Sequence, residues 1–184
     1  MSRVILETPR LLLREMTRRD IDFIAMMMAH PEVNRFYERR FSRAESETWL
    51  ERQLERYRRD GKGLWLTVER ETGNPVGQVG LAFQDVEGER HPEIGWLLDR
   101  AYWGRGYATE AGAAIRDAAF NQWHYDHVIS LIRPVNVNSQ RVALRLGMTE
   151  GRRVQFHGYE HCVFELVNPD RAKRVEQHSP EPAK

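Results

Sequence analysis

The sequence lacks several features that would place it in a specialised class of protein. It has 1 cysteine among 184 residues, so an internal disulfide framework is excluded. A lone thiol also suits a reducing compartment such as the cytoplasm. No apolar run is long enough to span a bilayer, and no apolar stretch of signal-peptide type follows Met1. We therefore expect a cytoplasmic protein without membrane contact.

The sequence also lacks an excess of charge of either sign. Its 28 lysine and arginine residues nearly balance its 27 aspartate and glutamate residues, which leaves a net charge of +1. No global electrostatic field then attracts nucleic acid, so a nucleic-acid partner is disfavoured. Metal ligands are sparse as well. His157 and His161 lie on predicted strands without a third ligand, so no metal site is predicted.

The sequence does contain a regular alternation of strand-like and helix-like segments, which is typical of an α/β domain. Strands are predicted at 10–16, 64–69, 76–83, 93–98, 128–132, 149–156 and 159–167, with a polar, exposed loop at 84–90. Helices are predicted from Thr17 to His30, from Ser42 to Gly61, after Gly106, and from Ser139 to Gly147. Residues 1–167 should form a single domain, and 168–184 a polar, frayed tail.

The segment 103–111 (WGRGYATEA) is the most informative part of the chain. It follows a predicted strand and opens a helix, whose first free N–H groups form an anion site. Gly104 and Gly106 let a phosphate approach the main chain without a Cβ in the way. The spacing fits neither a Walker loop nor a Rossmann turn, because Thr109 stands where a third glycine would be. A pyrophosphate site and a turn that only packs a helix against a strand both stay open.

Four segments together carry a resemblance to a known family. They are 8–14 (TPRLLLR), 93–96 (EIGW), 103–111, and 136–139 (NVNS) leading to 146–148 (LGM). In this order the chain resembles the GNAT superfamily of acetyl-CoA-dependent N-acetyltransferases, in particular the RimJ/RimL-like branch of ribosomal-protein N-terminal acetyltransferases. The resemblance implies a mixed α+β GNAT fold, with a mostly antiparallel sheet of about seven strands, splayed between strands 4 and 5, and about four flanking helices.

The same resemblance implies transfer of the acetyl group of acetyl-CoA to a primary amine, by direct attack in a ternary complex, with CoA as the product. Backbone amides of the glycine turn would hold the CoA pyrophosphate, a role that maps onto Arg105, Gly106, Tyr107, Ala108 and Thr109. Backbone groups of Leu97 and Leu98 would bond the pantetheine arm, and Asn138 would bond the cofactor after the fifth strand. Whether the Arg105 side chain contacts a phosphate or is only solvated stays open.

The reaction needs a base, because an amine with a pKa of about 10 is protonated at neutral pH. The resemblance makes Glu93 the leading base, acting through water, and Glu160 in the last hairpin the second candidate. Many GNAT enzymes use a tyrosine as the acid for the departing thiolate, but Ala143 stands at about that position. Ser139 is the substitute, although it also suits a helix N-cap. Cys162 is interpreted as a buried thiol without a catalytic role.

The acceptor is expected to lie between the first two helices and the last hairpin. Aromatic and arginine side chains gather in these segments: Phe36, Tyr37, Phe41, Trp49, Tyr57, Phe156, Arg35, Arg39 and Arg40. They suit an amine channel, but also a packed core and a solvated helix face. A protein N-terminus, a polyamine, an antibiotic and another small amine stay open as acceptors, and so does a homodimer. A CoA-binding sensor or inactive homologue, and a ribosome-associated protein, are the alternative functions.

Overall fold

The computed structural model describes residues 2–36 and 41–171, which form one eight-stranded sheet with helices on both faces. The strands are β1 (Val4–Glu7), β2 (Leu11–Arg14), β3 (Gly63–Glu69), β4 (Pro75–Val86), β5 (Glu89–Leu98), β6 (His127–Ile132), β7 (Thr149–Phe156) and β8 (Tyr159–Val167). The helices are α1 (Ile21–Ala29), α2 (Arg43–Asp60), α3 (Tyr107–Asn121) and α4 (Val137–Arg145), with short 3-10 turns at Arg18–Asp20 and Arg100–Tyr102.

The strand order across the sheet is β1-β2-β3-β4-β5-β6-β8-β7. β5 and β6 are parallel, and the other neighbouring pairs are antiparallel. This confirms the predicted mixed, mostly antiparallel sheet. The strand missing from the prediction is β1, a short edge strand. The predicted fourth and fifth strands are therefore β5 and β6.

Two further expectations from the sequence need correction. The polar segment 84–90 is largely exposed as expected, but it is not a loop, because β4 and β5 extend through it to a two-residue turn at Glu87 and Gly88, both with positive φ. The predicted tail begins too early at Asn168. That side chain is buried and donates to the Tyr125 carbonyl at 3.1 Å. Residues 172–184 and the acceptor candidates Tyr37, Arg39 and Arg40 lie outside the described residues.

Side-chain alternation along the strands separates the core into two layers. On β3, Trp65 packs in the layer that includes α3 and α4, whereas Leu66 packs with α1 and α2. Cys162 is buried in the α3 layer, as predicted for a core thiol. None of the described helices combines the length and apolar character that a membrane span requires.

The sheet opens between β5 and β6. Their backbone register consists of one pair, Glu93 with Ile129. Next to this pair, the Ser130 hydroxyl donates to the Ile94 carbonyl at 2.7 Å. Toward Leu98 and Ile132, at the carboxyl ends of the two strands, the register does not continue. The predicted splay is confirmed, and we call the space between these carboxyl ends the β5–β6 gap.

Helix α2, which packs with α1 against β3, has a well-defined start. The Ser42 side chain accepts from the Glu45 N–H, and the Glu45 carboxylate accepts from the Ser42 N–H at 2.8 Å. This reciprocal capping box satisfies two N–H groups of the first turn. Gly61 closes the helix in the left-handed conformation, at φ 62°. Both ends of α2 agree with the sequence prediction.

Ser42→Ala should lower the free energy of unfolding by about 1 kcal/mol, because the first turn of α2 loses its side-chain cap. Urea denaturation would measure the change. Thr48→Ala is the matched control, since the Thr48 hydroxyl bonds back to the Ala44 carbonyl within the same helix. An interior alanine favours the helix, so this variant should not be destabilised. Equal losses in the two variants would contradict the capping role.

Candidate active site

The glycine turn between β5 and α3 is built as an anion site. Gly104 and Gly106 have left-handed backbone conformations, with φ of 77° and 80°. The Glu110 N–H makes the first bond within the helix, to the Gly106 carbonyl at 3.0 Å. The N–H groups of Tyr107, Ala108 and Thr109 precede this bond and have no carbonyl within the helix to bond. Three donors therefore point out of the helix end beside the β5–β6 gap.

Space above this turn is open. Of the described atoms, a Cβ added to Gly106 would come within 4 Å of the Arg10 Nη2 alone, at 3.6 Å. The glycine is thus required by its positive φ, and the space near its α-carbon stays accessible to a ligand. A pyrophosphate fits these residues, since donors, helix dipole and clearance coincide at one point.

An ion pair between Arg10, near the start of the chain, and Glu110 of α3 holds the glycine turn in place. The Arg10 Nε donates to Glu110 Oε2 at 2.6 Å, and its Nη1 donates to the Arg105 carbonyl at 3.1 Å. Glu110 Oε1 also accepts from the Thr8 hydroxyl at 2.6 Å. Burial alone would raise the pKa of Glu110, but the hydrogen bonds from Thr8 and Arg10 outweigh it and lower that pKa. Sequence reasoning assigned no role to Arg10 or Glu110.

The Arg105 side chain is engaged rather than only solvated. Its guanidinium lies 5.0 Å from the Tyr102 ring centre and 3.9 Å from Glu69 Oε1. The Tyr107 hydroxyl donates to the same carboxylate, and the Tyr107 ring is buried. Glu69 therefore ties both sides of the turn to the end of β3.

The backbone of β5 presents alternate residues to the β5–β6 gap. The Asp99 N–H donates to the Val76 carbonyl at 2.9 Å, so in this antiparallel register Leu97 also bonds toward β4. Backbone groups of Ile94, Trp96 and Leu98 then face away from β4, toward β6. The Ile94 carbonyl accepts from the Ser130 hydroxyl, and the Leu98 carbonyl accepts from the Trp103 indole. Both carbonyls therefore point away from β4, as this alternation requires.

This phase corrects one sequence-based expectation. Leu97 was expected to bond a pantetheine arm through its backbone, but its N–H and carbonyl point to Gln78 of β4 and not to the gap. Trp96, the residue before it, presents its backbone to the gap instead. The carbonyl of Leu98 already accepts from the Trp103 indole at 2.9 Å, which leaves the Leu98 N–H on the gap side.

Ser139 lies at the far side of the gap, in the first turn of α4. Its hydroxyl oxygen accepts from the Trp96 indole N–H at 3.2 Å, so the hydroxyl proton stays available for donation. The sequence position of Ser139 suggested a helix N-cap, but the structure gives that role to another residue. Asn136 has that role, accepting from the Ser139 N–H at 3.2 Å. Asn138 is therefore also in the first turn of α4, with an exposed side chain.

Glu93 lies at the vertex of the gap, which is the closed end where the pairing of β5 with β6 stops. Its carboxylate accepts from the Gln84 amide at 2.7 Å and from the Leu131 N–H at 3.2 Å. In a continuous parallel pair, a backbone carbonyl of β5 would accept from the Leu131 N–H. Here the Glu93 carboxylate accepts from it instead. Burial raises the pKa of Glu93, while hydrogen bonds from Gln84 and Leu131 and the charge of Arg56 oppose the rise. A carboxylate with a raised pKa at the closed end of the gap is a stronger proton acceptor than an exposed glutamate.

Glu160 lies on the opposite face of the sheet from Glu93. On β8 its side chain shares a face with Cys162, which is buried against the α3 layer. Glu93 shares its face with Ile129 and Val163, which pack in a separate cluster on the α2 side. Glu160 is also exposed and forms an ion pair with Arg153 at 3.0 Å. The structure therefore does not bring the two candidate bases together.

The histidines of the last hairpin belong to the Glu93 face, but they form no metal centre. The His161 Nδ1 lies 3.0 Å from the Tyr159 carbonyl, and the Phe156 ring lies 5.7 Å away. Within the described residues, no three ligating side chains from histidine, cysteine, aspartate or glutamate are grouped to hold an ion. Burial is the main cause that lowers the pKa of His161.

Three of the six predicted aromatic acceptor residues serve packing. Phe41, Trp49 and Tyr57 contact the cluster formed by α1 and α2. The Tyr57 hydroxyl donates to the Leu64 carbonyl, and burial raises the pKa of this phenol far above its ordinary value. Their packing role was one of the two alternatives that the sequence left open.

Comparisons with known proteins agree with this geometry. The profile of the acetyltransferase (GNAT) domain matches residues 10–149, which contain the gap, the glycine turn and both faces of the sheet. The chain belongs to the GNAT acetyltransferase family. It is therefore an acyltransferase of the acetyl-CoA-dependent class, whose fold binds acetyl-CoA.

Individual relatives extend over nearly the whole chain. YkkB of Bacillus subtilis (strain 168) is 30% identical over 161 residues, covering 87% of this chain and 94% of its own length. The crystal structure of an acetyltransferase from Agrobacterium tumefaciens is 29% identical with a TM-score of 0.76, covering 88% and 92%. RimL, an L7/L12 alpha-N-protein acetyltransferase solved with coenzyme A, shares the fold at 14% identity and a TM-score of 0.72, covering 90% and 98%.

Glu110→Gln should reduce stability at neutral pH by about 1 kcal/mol, because its bonds from Arg10 and Thr8 lose their charge. A carboxylate whose pKa is lowered by folding contributes stability above its unfolded pKa of about 4.3 and loses it as the pH falls through the folded value. Urea denaturation at about pH 7 and about pH 3 should therefore show a difference between variant and wild type that shrinks in acid.

Asp117→Asn on the same helix is the control for this experiment. Asp117 is exposed and pairs with Arg116, its neighbour in sequence, at 2.7 Å. Its loss should change stability by no more than about 0.5 kcal/mol. A pH-independent loss in Glu110→Gln would argue against the ion pair with Arg10.

Proposed function

We propose that this protein is an N-acetyltransferase that transfers the acetyl group of acetyl-CoA to a primary amine in a ternary complex. The β5–β6 gap carries this proposal, because it brings the anion site at Gly106, the free backbone of Trp96 and the Glu93 carboxylate to one opening in the sheet. When bound, acetyl-CoA supplies a thioester whose carbonyl carbon an amine can attack, with the CoA thiolate as leaving group.

Each part of the gap has a distinct task in this proposal. N–H groups of Tyr107, Ala108 and Thr109 bind the pyrophosphate, with Gly106 leaving room for its approach. The backbone of Trp96 and the N–H of Leu98 bond the amide-rich arm as an added strand would, and Asn138 adds a polar contact from α4. A main-chain N–H in the gap can also polarise a carbonyl oxygen placed beside it.

Glu93 is the proposed base. Its carboxylate lies on the α2 face of the sheet, at the head of the gap, and takes the proton of the amine through water. The raised pKa makes it a stronger base than an exposed glutamate. On the other side of the gap, the Ser139 hydroxyl is held by the Trp96 indole at 3.2 Å and can donate its proton toward a departing thiolate.

Gly106→Ala should weaken CoA binding by at least about tenfold, because a Cβ strains the left-handed turn and intrudes on the pyrophosphate. Calorimetric titration with CoA measures the effect. Gly88→Ala is the matched control, since Gly88 has a φ of 88°, open space around it, and a position at the opposite end of β5. Both variants should lose similar thermal stability, so equal CoA affinity in both would refute the pyrophosphate site.

Glu93→Gln should lower kcat by about 10²- to 10⁴-fold while CoA affinity is retained. A base must be deprotonated, so wild-type kcat/KM should fall as the pH drops through the raised pKa of Glu93. That acidic limb should be absent in the variant. Release of the CoA thiol between about pH 5 and pH 9 provides the measurement.

Glu160→Gln distinguishes the two candidate bases. Because Glu160 lies on the other face of the sheet, its replacement should leave both turnover and the pH profile unchanged. If Glu160→Gln loses turnover and Glu93→Gln keeps it, Glu160 rather than Glu93 is the base. Tight CoA binding without turnover on any amine would instead favour a CoA-binding sensor or inactive homologue.

A further inference from the structure

One flank of α2 faces β3 and β5. The Gln53 side chain accepts from the Leu64 N–H at 3.1 Å, and Asp60 pairs with Arg90 of β5 at 2.7 Å. Arg56 lies between these two contacts, one helical turn from each. Its side chain is therefore on the part of the helix that turns to the sheet, above the strand that carries Glu93.

Arg56 differs from the other arginines at this end of α2. Arg58 pairs with the exposed Glu55 at 2.6 Å, and the exposed Arg59 pairs with the buried Asp60 carboxylate at 2.7 Å. Arg56 is half-buried, and the described residues offer it neither a hydrogen bond nor an ion pair within 4.0 Å. Burial lowers its pKa, and the attraction of Glu93 is the largest influence that opposes this.

A second arginine lies on the face of the sheet that carries Glu93. Arg133 follows β6, two residues beyond the Leu131 N–H that bonds the Glu93 carboxylate. Its guanidinium lies 4.3 Å from the Tyr159 ring centre and donates to the Phe36 carbonyl. It also acts on His161, whose pKa is lowered first by burial and then further by the charge of Arg133.

Guanidinium groups from α2 and from the end of β6 therefore lie on the face of the sheet that carries Glu93. This arrangement repels a polycation, because each added ammonium group would lie near a guanidinium that is partly shielded from water. An amine with a neighbouring carboxylate matches it well. The amine of such an acceptor can approach Glu93 while the acceptor carboxylate forms a bidentate ion pair with the Arg56 guanidinium.

We propose that the acceptor is an amine that carries a carboxylate close to the reacting nitrogen, and that Arg56 binds this carboxylate. The inference rests on the N-acetyltransferase proposal and makes it more specific. A free amino acid and a peptide with an acidic first residue both present this chemistry, and separate acceptors distinguish them. Polyamines and aminoglycosides are excluded by the same charge argument.

The test uses the full-length protein, acetyl-CoA and sets of acceptors that differ in the number of carboxylates they carry. Glutamate and glutamate diamide represent free amino acids, peptides beginning with Glu or Gln represent N-termini, and spermidine represents polyamines. For the wild type, kcat/KM from CoA thiol release should be at least tenfold higher for the acidic member of one of the first two sets. Spermidine should be the poorest acceptor.

Arg56→Gln should remove this preference by raising KM for the acidic acceptor at least tenfold. Neither the KM for acetyl-CoA nor the rate with the neutral acceptor should change by more than twofold. Arg56→Lys should restore part of the preference, since it keeps the charge but not the planar fork. Arg58→Gln is the control, because Arg58 is exposed and paired with Glu55 on the same helix. Thermal unfolding verifies that each variant is folded.

The outcomes separate this inference from the function on which it rests. Turnover that favours neutral acceptors or spermidine would overturn the acceptor assignment and leave the N-acetyltransferase proposal intact. An equal loss with acidic and neutral acceptors in Arg56→Gln would also overturn it. Normal CoA binding with no turnover on any acceptor would refute both proposals.

Discussion

The separation of β5 from β6 is the constraint on which the rest of the site depends. Two parallel strands that stayed paired would bond each other's backbone groups and leave nothing for a ligand. Here the register ends at Glu93 and Ile129, and side chains take over the bonding: Ser130 serves the Ile94 carbonyl, and Glu93 serves the Leu131 N–H. The base candidate is thus also part of the structure that ends the pairing.

This double role gives the carboxylate its chemical character. Burial disfavours the charged form of Glu93 and raises its pKa. Two hydrogen bonds and the charge of Arg56 favour the charged form and limit this rise. The result is a carboxylate with a raised pKa in a fixed position. The glycine turn is stabilised in a comparable way, because Arg10 neutralises a glutamate that would otherwise repel a phosphate at the start of α3.

The sequence was most reliable where a local rule decides the structure. The capping box at Ser42, the left-handed Gly61, the glycine turn and the last hairpin all depend on neighbours a few residues apart, and all are found as predicted. It was less reliable where two strands continue through polar residues. The segment 84–90 forms strand because β4 and β5 pair with each other, which composition does not indicate.

The sequence by itself determined the alternation of strands and helices, the glycine turn before α3 and the family. Only the tertiary structure decided which side of the sheet each candidate occupies. Backbone hydrogen bonds and side chains both alternate along a strand, and the neighbouring strands set the phase of each. The backbone of Trp96 rather than that of Leu97 therefore faces the gap, and the Glu160 side chain lies on the opposite face from Glu93. The pairing of Arg10 with Glu110 and the approach of Arg56 to Glu93 likewise arise because folding joins segments far apart in sequence.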